Sequence, residues 1–479
     1  MTQTPGIPKV RRDFKNGKRS AISVHAILRT MGTYVSPYCD RRVFVVGVLG
    51  FFCGLPLLLT GSTLAFWLAK DGVSLTKVGL VGVSSLPFTL KFLWSPLVDR
   101  VSLPFLTPLL GRRKSWFFLS QVLLAILLYA LGQCDPKENL LLVALLAMGI
   151  SFSAATHLIV LFAYQAERLG RTQYGAGEAM SMFGYRMGIL LAGAGALYLA
   201  TYLHWGTVYE IMALVEAGGL VFLLMIQEPT YHPSKEALWR EEKAKGYLHA
   251  HPHLRGWKAA ILSWSYGAFV CPFADFIQRH KGWVACLILM FVYKLGDSLI
   301  GNMTNIFYDH VGFSKQEIAN ASKIFGMWAT IFGGFVGGIV TMRWGMMKSL
   351  FYGALFHGMA TFCYLMVLNT GHNMPILYLT VALEHITGGM RVTALFAYQL
   401  TLCNTAYAAT QLALLSSFVE MSRTLFSALS GWLVDHMGWA FFYTLAACAS
   451  IPALLVVLYL AGLEQSSLSF WKKVPSQDP

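Results

Sequence analysis

The segment from residue 384 to 423 decides the fold. It reads Glu-His-Ile-Thr-Gly-Gly-Met-Arg-Val-Thr-Ala-Leu-Phe-Ala-Tyr-Gln-Leu-Thr-Leu-Cys-Asn (384–404), then Thr-Ala-Tyr-Ala-Ala-Thr-Gln (405–411), then Leu-Ala-Leu-Leu-Ser-Ser-Phe-Val-Glu-Met-Ser-Arg (412–423). Both arms are apolar and long enough to span a membrane, which takes about 20 residues. Yet they carry Glu384, His385, Arg391, Glu420 and Arg423. Because an ionisable group at the bilayer centre costs at least ~2.5–3.5 kcal/mol, we expect these groups to line a polar pathway or to pair as structural charges.

The composition is that of a polytopic membrane protein. Of the 479 residues, 56% are apolar and 13% are charged, and the mean hydropathy is +0.55, whereas a soluble chain is about 25% charged. The eight cysteines form no Cys-x-x-Cys pair, so we expect neither a disulfide framework nor a metal site. The first apolar run begins near Val43 after a long polar lead, which predicts an uncleaved first helix.

Apolar stretches along the chain predict twelve spans in two groups of six. They cover about 43–69, 76–98, 115–133, 139–165, 175–203, 207–227, 283–308, 315–342, 347–368, 374–403, 407–434 and 439–462. We therefore divide the chain into a cytoplasmic basic N-terminal arm (1–42), an N-terminal six-helix bundle (43–228), a cytoplasmic linker with an interfacial helix (229–282), a C-terminal six-helix bundle (283–462) and a cytoplasmic tail (463–479).

Most of the 37 Lys and Arg residues lie in the arm, the linker, the tail and the loops that join even-numbered spans to the next span. Short loops rich in basic residues stay cytoplasmic, so both termini are expected inside. The net charge of +14 then reflects topology, and we expect no nucleic-acid partner. A membrane-embedded enzyme is disfavoured, because the sequence holds no metal-ligand spacing, Gly-x-Ser-x-Gly or phosphate-binding loop. A channel would not need two related halves.

The two groups of spans echo each other. Leu-Phe-Ala-Tyr-Gln occurs at 161–165 in the fourth span and at 395–399 in the tenth, its counterpart. Arg186 in the fifth span and Arg423 in the eleventh are also counterparts. Six plus six spans with related halves is typical of transporters whose substrate site lies at the membrane midplane between the halves. The expected fold is an all-α integral membrane protein of two pseudo-symmetric six-helix bundles.

Longer motifs carry a family resemblance. Pro96-Leu-Val-Asp99-Arg100 followed by Gly111-Arg112-Arg113 resembles the loop signature of the major facilitator superfamily. Within it, residues 43–462 resemble AmpG-type muropeptide permeases through Phe51-Phe-Cys-Gly-Leu-Pro56, Lys91-Phe-Leu-Trp-Ser-Pro96, Gly175-Ala-Gly177, Gly184-Tyr-Arg186, Tyr293-Lys-Leu-Gly-Asp297, Gly388-Gly-Met390, Thr401-Leu-Cys-Asn404 and Ala409-Thr-Gln-Leu-Ala-Leu-Leu-Ser416.

The resemblance implies import of N-acetylglucosamine–anhydro-N-acetylmuramyl peptides through a bacterial inner membrane for wall recycling. It implies a monomer in the lipid bilayer, a small anionic glycopeptide as substrate, the proton gradient as energy source and no cofactor. Two features depart from the family. Leu158, Phe162 and Gln165 stand where the fourth helix usually carries two carboxylates and a lysine, and Arg391 stands where a glycine is expected. A shifted substrate, such as a siderophore or acetyl-CoA, is the alternative.

An anionic, sugar-bearing substrate needs cations for its carboxylates and amide or aromatic side chains for its sugar faces. Arginine suits a carboxylate because its planar fork binds bidentately. The predicted substrate-binding residues are Arg186, Arg391, Arg423, Lys91, Tyr164, Gln165, Tyr185, Tyr398 and Gln399. The structural alternatives are an anchor for the fifth helix in the case of Arg186 and neutralisation by Glu420, three residues earlier, in the case of Arg423.

Proton coupling needs a group whose protonation responds to its surroundings. The candidates are Asp297, Glu384 and Glu420, with Lys294 and His157 beside them. Lys294 and Asp297 are three residues apart, so an intrahelical pair is the simpler interpretation. A lone histidine such as His157 is more often a satisfied core residue, although it titrates in the useful range.

A cytoplasmic gate is predicted from the loop between the second and third spans. Asp99, Arg100, Arg112 and Arg113 are expected to form a charge cluster that holds the outward-facing state. The simpler alternative is a basic loop that only sets topology. Gly54-Leu-Pro56 and Gly388-Gly389 are candidate hinges, or else sites of close helix packing.

Overall fold

The computed structural model describes residues 36–73, 82–229, 270–301 and 303–473 of the chain. The side chains of residues 82, 83, 315, 423, 424, 427, 428 and 464–473 lie outside that description. Most of the predicted N-terminal arm and linker, and the end of the tail, therefore fall on residues that are not described.

The described residues form twelve membrane-spanning segments, labelled α1 to α12. The first six are α1 (Arg41–Lys70), α2 (82–100), α3 (Arg112–Gly132), α4 (Leu140–Arg168), α5 (Arg171–Leu199) and α6 (Trp205–Met225). The second six are α7 (Trp283–Val311), α8 (Gln316–Trp344), α9 (Met346–Thr370), α10 (Met374–Leu402), α11 (408–437) and α12 (439–463). By length and composition alone, nine helices of the described chain qualify as membrane spans. These bounds lie close to the predicted spans.

Glycines with positive φ mark where several helices begin. Gly111 (φ 89°, ψ 174°) precedes α3, and Gly345 (φ 82°, ψ 168°) precedes α9. Gly438 (φ 76°) separates α11 from α12. Residues with a Cβ rarely adopt such angles, so each glycine permits a turn that other residues resist. Because α3 and α9 are the third helices of their halves, the matching angles at Gly111 and Gly345 support the predicted relation between the halves.

Small residues let particular helix pairs pack at close range. A Cβ on Gly184 of α5 would overlap the carbonyl of Gly47 in α1. A Cβ on Gly389 of α10 would likewise overlap the carbonyl of Thr330 in α8. Membrane helices lack a hydrophobic drive toward each other, so close backbone approach supplies their packing energy. Gly389, from a candidate hinge, therefore serves helix packing in this state.

A shared apolar core joins the two halves near the ends of α4 and α10. It combines buried residues of the N-terminal half, such as Val43 and Tyr164, with Ala397, Ala408 and Leu412 of the C-terminal half. The repeated pentapeptides meet here as well. Phe162 stacks on Phe396, with ring centroids 5.9 Å apart and an interplanar angle of 26°. The echo found in the sequence is thus a contact between counterpart helices.

A short amphipathic helix, Cys271–Arg279, precedes α7. Cys271, Asp275 and Phe276 are buried against the bundle, while Phe273 and Ile277 are exposed. Its position and its two faces fit the interfacial helix expected at the end of the linker. The first part of that predicted segment lies outside the described residues.

We predict that Gly184→Ala destabilises the protein by about 1–3 kcal/mol, because the added methyl group overpacks the α1–α5 contact. Gly218→Ala in α6 is the matched control, since nothing lies within 4 Å of its added Cβ. That control should be neutral or slightly stabilising, as alanine favours a helix. The test is the midpoint of thermal unfolding of both variants in detergent. Equal midpoints for the two would show that close packing at Gly184 is unimportant.

Candidate functional site

Asp297 of α7 and Arg391 of α10 form an ion pair between helices. Arg391 Nη1 also donates to the carbonyl of Tyr293, 2.8 Å away. The helix α7 is interrupted between Val292 and Leu295, which places that carbonyl within reach of a side chain. The Arg391 side chain is 1% exposed and that of Asp297 is 28% exposed. Since an ionised carboxylate is expensive in hydrocarbon, the exposed part of Asp297 must border water.

His357 of α9 completes this cluster. Its Nε2 lies 2.7 Å from Asp297 Oδ1, and its Nδ1 lies 3.2 Å from the hydroxyl of Thr387 in α10. The Thr387 hydroxyl donates to the carbonyl of Leu383 at 2.6 Å. Asp297, His357 and Arg391 thus tie three helices together near the middle of their lengths, and we call these three residues the central triad.

Two further predicted residues lie close to the central triad. Lys294 acts electrostatically on Asp297 from the same helix, but Asp297 bonds to Arg391 and His357 instead. Glu384 pairs with its neighbour His385 and interacts electrostatically with both His357 and Asp297. The simpler expectation, an intrahelical Lys294–Asp297 pair, is therefore not the main interaction of that carboxylate.

Arg186 is the central cation of the N-terminal half. It lies near the middle of α5, one turn beyond Phe183, whose ring is 5.9 Å from that of Phe335 in α8. Arg186 is therefore on the side of α5 that faces the other half. Its Nε is buried without a hydrogen-bond partner, and within the described part of the chain no carboxylate forms an ion pair with it.

Lys91 forms a second contact between the halves. Its side chain is buried in α2, with Nζ 5.8 Å from the ring centroid of Phe162. Glu420 of α11 acts electrostatically on it. A cation over an aromatic face and near a carboxylate is stabilised at this depth. Glu420 therefore interacts electrostatically with Lys91 across the interface between the halves. The side chain of Arg423, the partner predicted for Glu420, is not described.

Most of the predicted aromatic and amide ligands are engaged within the bundle. The Tyr164 hydroxyl donates to the carbonyl of Gln227 at 3.2 Å, the Tyr398 hydroxyl lies 3.6 Å from Cys286 Sγ, and Gln399 Nε2 lies 3.2 Å from Met290 Sδ.

Gln165, Tyr185 and His157 complete the set of predicted ligands and coupling residues. Gln165 is fully buried, and both polar atoms of its amide lack a partner in the described structure. Tyr185 is half-buried, and its backbone packs on Gly54. His157 is 1% exposed and shares a hydrogen bond of 3.1 Å with Ser120 of α3, as the core interpretation expected.

The residues of the predicted gate form a charge cluster where α2 ends and α3 begins. Arg113 is fully buried and donates to Asp99 Oδ1 at 2.8 Å and to Glu167 of α4 at 2.5 Å. Arg112 donates to the same glutamate at 2.9 Å and to the Asp99 carbonyl at 3.0 Å. Arg100 is half-buried beside them. Removing one partner of a buried ion pair strongly destabilises the protein, because the other charge is left uncompensated.

Asp99 carries this gate across to the other half. It accepts from the backbone N–H of Ala409 at 3.2 Å, and from the N–H and hydroxyl of Thr410 at 2.7 Å and 2.8 Å. Both residues stand at the start of α11, where free N–H groups and the helix dipole favour an anion. Asp99 therefore ties the end of α2 in one half to the start of α11 in the other. That this contact closes the cytoplasmic side in an outward-facing state stays a prediction.

A second carboxylate holds the start of α11 from the other side. Asp275, on the short amphipathic helix, accepts from Arg279 at 3.0 Å, from Asn404 at 3.2 Å and from Gln411 at 3.0 Å.

Glu228 caps the start of α3, accepting from the first N–H groups of that helix at 2.7 Å and 3.0 Å. Burial raises the pKa of the Glu228 carboxyl, and these two N–H donors oppose the shift.

Sequence reasoning missed several of these residues. His357, Glu167 and Asp275 were not singled out, although an ionisable residue within or beside a span is itself a signal of function. Glu178 and Glu216, buried carboxyls of α5 and α6, carried the same signal. Which residues pair across helices cannot be found from spacing along one helix, and that information comes only with the fold.

The fold is similar to known transporter structures. It superposes on the proton:xylose symporter XylE with a TM-score of 0.59 at 13% identity, covering 93% of this chain and 96% of that one. It superposes on FucP, a major facilitator transporter in an outward conformation, with a TM-score of 0.59 at 11% identity, covering 89% of this chain and 99% of that one. At this identity the likeness shows the fold alone.

Sequence comparisons cover most of the chain. A transporter named AmpG 4 from Rickettsia felis is 32% identical over 423 residues, spanning 88% of this chain and 97% of the relative. The anhydromuropeptide permease of Escherichia coli K12 is 32% identical over 428 residues, spanning 89% of this chain and 81% of the relative. The family model "Acetyl-coenzyme A transporter 1" matches residues 42–148.

We expect Asp99→Ala to loosen the cytoplasmic closure, because three donors at the start of α11 and the buried Arg113 lose their acceptor. Spin labels on Thr172 of α5 and Lys348 of α9, both exposed near the cytoplasmic ends, report the separation of the halves. A longer, broader distance distribution is expected for Asp99→Ala. Asp135→Ala, in the exposed loop between α3 and α4 at the opposite end, is the control and should leave the distance unchanged. An unchanged distribution for Asp99→Ala would reject the gate.

Proposed function

The chain belongs to the AmpG family of permeases within the major facilitator fold, and on that premise we propose that it imports an anionic muropeptide into the cytoplasm by proton symport. It is a multi-pass membrane transporter and not an enzyme, because its relatives are permeases and its structural neighbours are transporters. Beyond family membership, we propose a muropeptide as the substrate and the proton as the driving ion. We also propose that the protein is a monomer in a bacterial inner membrane with both termini in the cytoplasm.

The observation that carries the substrate class is Arg186, which lies at mid-membrane depth and has no ion pair within the described part of the chain. A guanidinium at that depth is costly unless an anion or water meets it. Its Nε is buried without a partner, and no ion pair to it is found in the described residues. A carboxylate suits this position, because arginine can bind it through two parallel hydrogen bonds. Muropeptides carry lactyl and peptide carboxylates, so they offer the group that Arg186 lacks.

The C-terminal half supplies the opposite wall of the proposed site. Arg391 was expected to bind substrate directly, but it is 1% exposed and lies behind Asp297. Asp297 is the accessible member of the pair and is suited to accept from the hydroxyl or amide groups of a glycopeptide. Arg391 then acts on substrate through the position and charge of Asp297. The half-buried Lys294 adds positive charge near the same surface.

Alternating access follows from the gate and the site together. The Asp99 gate closes the cytoplasmic ends, and Phe162 and Phe396 stack below the level of the central triad. Release of substrate to the cytoplasm requires these contacts to part. The two halves then rock about the fixed mid-membrane site, which is the usual movement of transporters built from two related bundles.

A second candidate is an acetyl-CoA-like anion. The match of residues 42–148 to an acetyl-coenzyme A transporter model favours it. The same Arg186 would serve a phosphate or a carboxylate. Competition separates the two candidates: excess unlabelled acetyl-CoA should not inhibit uptake of labelled muropeptide if the muropeptide is the substrate.

We predict that proteoliposomes containing the protein accumulate labelled N-acetylglucosamine–anhydro-N-acetylmuramyl peptide when the outside is more acidic. A protonophore should abolish accumulation but leave counterflow exchange, which needs no gradient. Unchanged accumulation after collapse of the gradient would reject proton symport, and absence of counterflow would reject this substrate.

In the same assay, Arg186→Ala should raise the KM for counterflow about 10-fold or more, because a charge-assisted hydrogen bond contributes about 1.5–3 kcal/mol. Arg171→Ala is the matched control, since Arg171 is exposed at the cytoplasmic start of the same helix. A KM shift common to both variants, or to neither, would contradict the role of Arg186.

A further inference from the structure

We propose that His357 is the group that binds and releases the coupling proton, which places the proton on α9 rather than on a carboxylate. This inference rests on the proposed proton symport. None of the sequence motifs included His357, and only the fold brings this residue of α9 between α7 and α10.

The hydrogen bonds around His357 let its ring carry one proton or two. Asp297, held by Arg391, is an acceptor, so Nε2 donates to it across 2.7 Å. The Thr387 hydroxyl lies 3.2 Å from Nδ1 and 2.6 Å from the carbonyl of Leu383. With its proton on that carbonyl the hydroxyl accepts from an Nδ1–H, and when it is turned toward the ring it donates to a bare Nδ1. The same partners therefore suit both the imidazolium and the neutral ring.

The surrounding charges allow that proton to come and go. From α7, Asp297 and Lys294 act within this cluster, and from α10, Arg391, Glu384 and His385 do so. Asp297 already accepts from both Arg391 and His357, so the carboxylate has cations on two sides and is the member that stays ionised. Within the triad, the arginine keeps its proton, whereas the imidazole of His357 can carry either one or two N–H groups.

Release of the proton changes the charge of the site in the direction that transport needs. When the halves part on the cytoplasmic side, one N–H of His357 gives its proton to water and the ring becomes neutral. The remaining N–H donates to Asp297, and the Thr387 hydroxyl turns to donate to Nδ1. The site loses one positive charge, so it holds an anionic substrate less strongly. Protonation from the acidic outside restores the imidazolium before the next anion binds.

The test compares His357→Gln with His157→Gln in proteoliposomes. His157 is the matched control, because it is also a buried histidine near mid-membrane, on α4, but its ring bonds to Ser120 within the N-terminal half. We expect His357→Gln to retain counterflow of labelled muropeptide while its accumulation ratio under an acid-outside gradient falls to about one. His157→Gln should accumulate substrate as the wild type does.

A second measurement records substrate-induced proton movement directly, with a pH dye in weakly buffered detergent solution. Wild-type protein should shift the dye signal on addition of muropeptide, and His357→Gln should not. His357→Lys keeps the charge without a readily titrating group, and it should also exchange without accumulating.

The possible outcomes separate the two proposals. Uphill accumulation or a wild-type proton signal in His357→Gln would overturn the role of His357 while leaving proton symport intact. Loss of counterflow in both His357→Gln and His357→Lys, at unchanged thermal stability, would show that His357 only positions Asp297. That result would also overturn the proposed role of His357 as the proton-binding group. Wild-type protein that exchanges muropeptide but never accumulates it under a gradient would instead remove the proposed symport itself.

Discussion

The structure depends on one ion pair, between Asp297 and Arg391, at a depth where neither charge is stable alone. Each side chain is a strong liability in hydrocarbon, and together with His357 they cross-link α7, α9 and α10. Removing one member would leave an uncompensated charge, which costs more than removing the whole set. This constraint explains how three ionisable residues can lie together between the helices of the C-terminal half.

The two halves are related in sequence but divide the work unequally. The N-terminal half presents Arg186, which has no ion pair among the described residues, and supplies Asp99, while the C-terminal half holds the central triad and offers the start of α11 to Asp99. That start is held twice, by Asp99 from the opposite half and by Asp275 from the short amphipathic helix. On the proposed mechanism, opening toward the cytoplasm requires the contacts of Asp99 with α11 to break. The contacts of Asp275 can stay intact and move together with α11.

Much of the fold was predictable because the bilayer imposes it. Apolar stretches of the right length gave helix bounds close to those observed, whereas the orientation predicted from basic loops stays a prediction. The repeat at 161–165 and 395–399 even identified a contact, since Phe162 and Phe396 stack. The pairing of the site residues could not be predicted in this way. Spacing along α7 suggested a pair within one helix, but the interruption after Val292 and the fold gave Asp297 partners on two other helices.

The central claim is that the mid-membrane charges of both halves border one chamber open to the periplasm. The most direct test places single cysteines at Arg186 and at Lys294 in a background without the eight native cysteines, and treats spheroplasts with a membrane-impermeant, positively charged thiol reagent. We expect both positions to react from the periplasmic side, and muropeptide to protect the cysteine at position 294, where Arg186 is intact. If either position stays unreactive, or if muropeptide leaves position 294 unprotected, the two halves do not share a chamber.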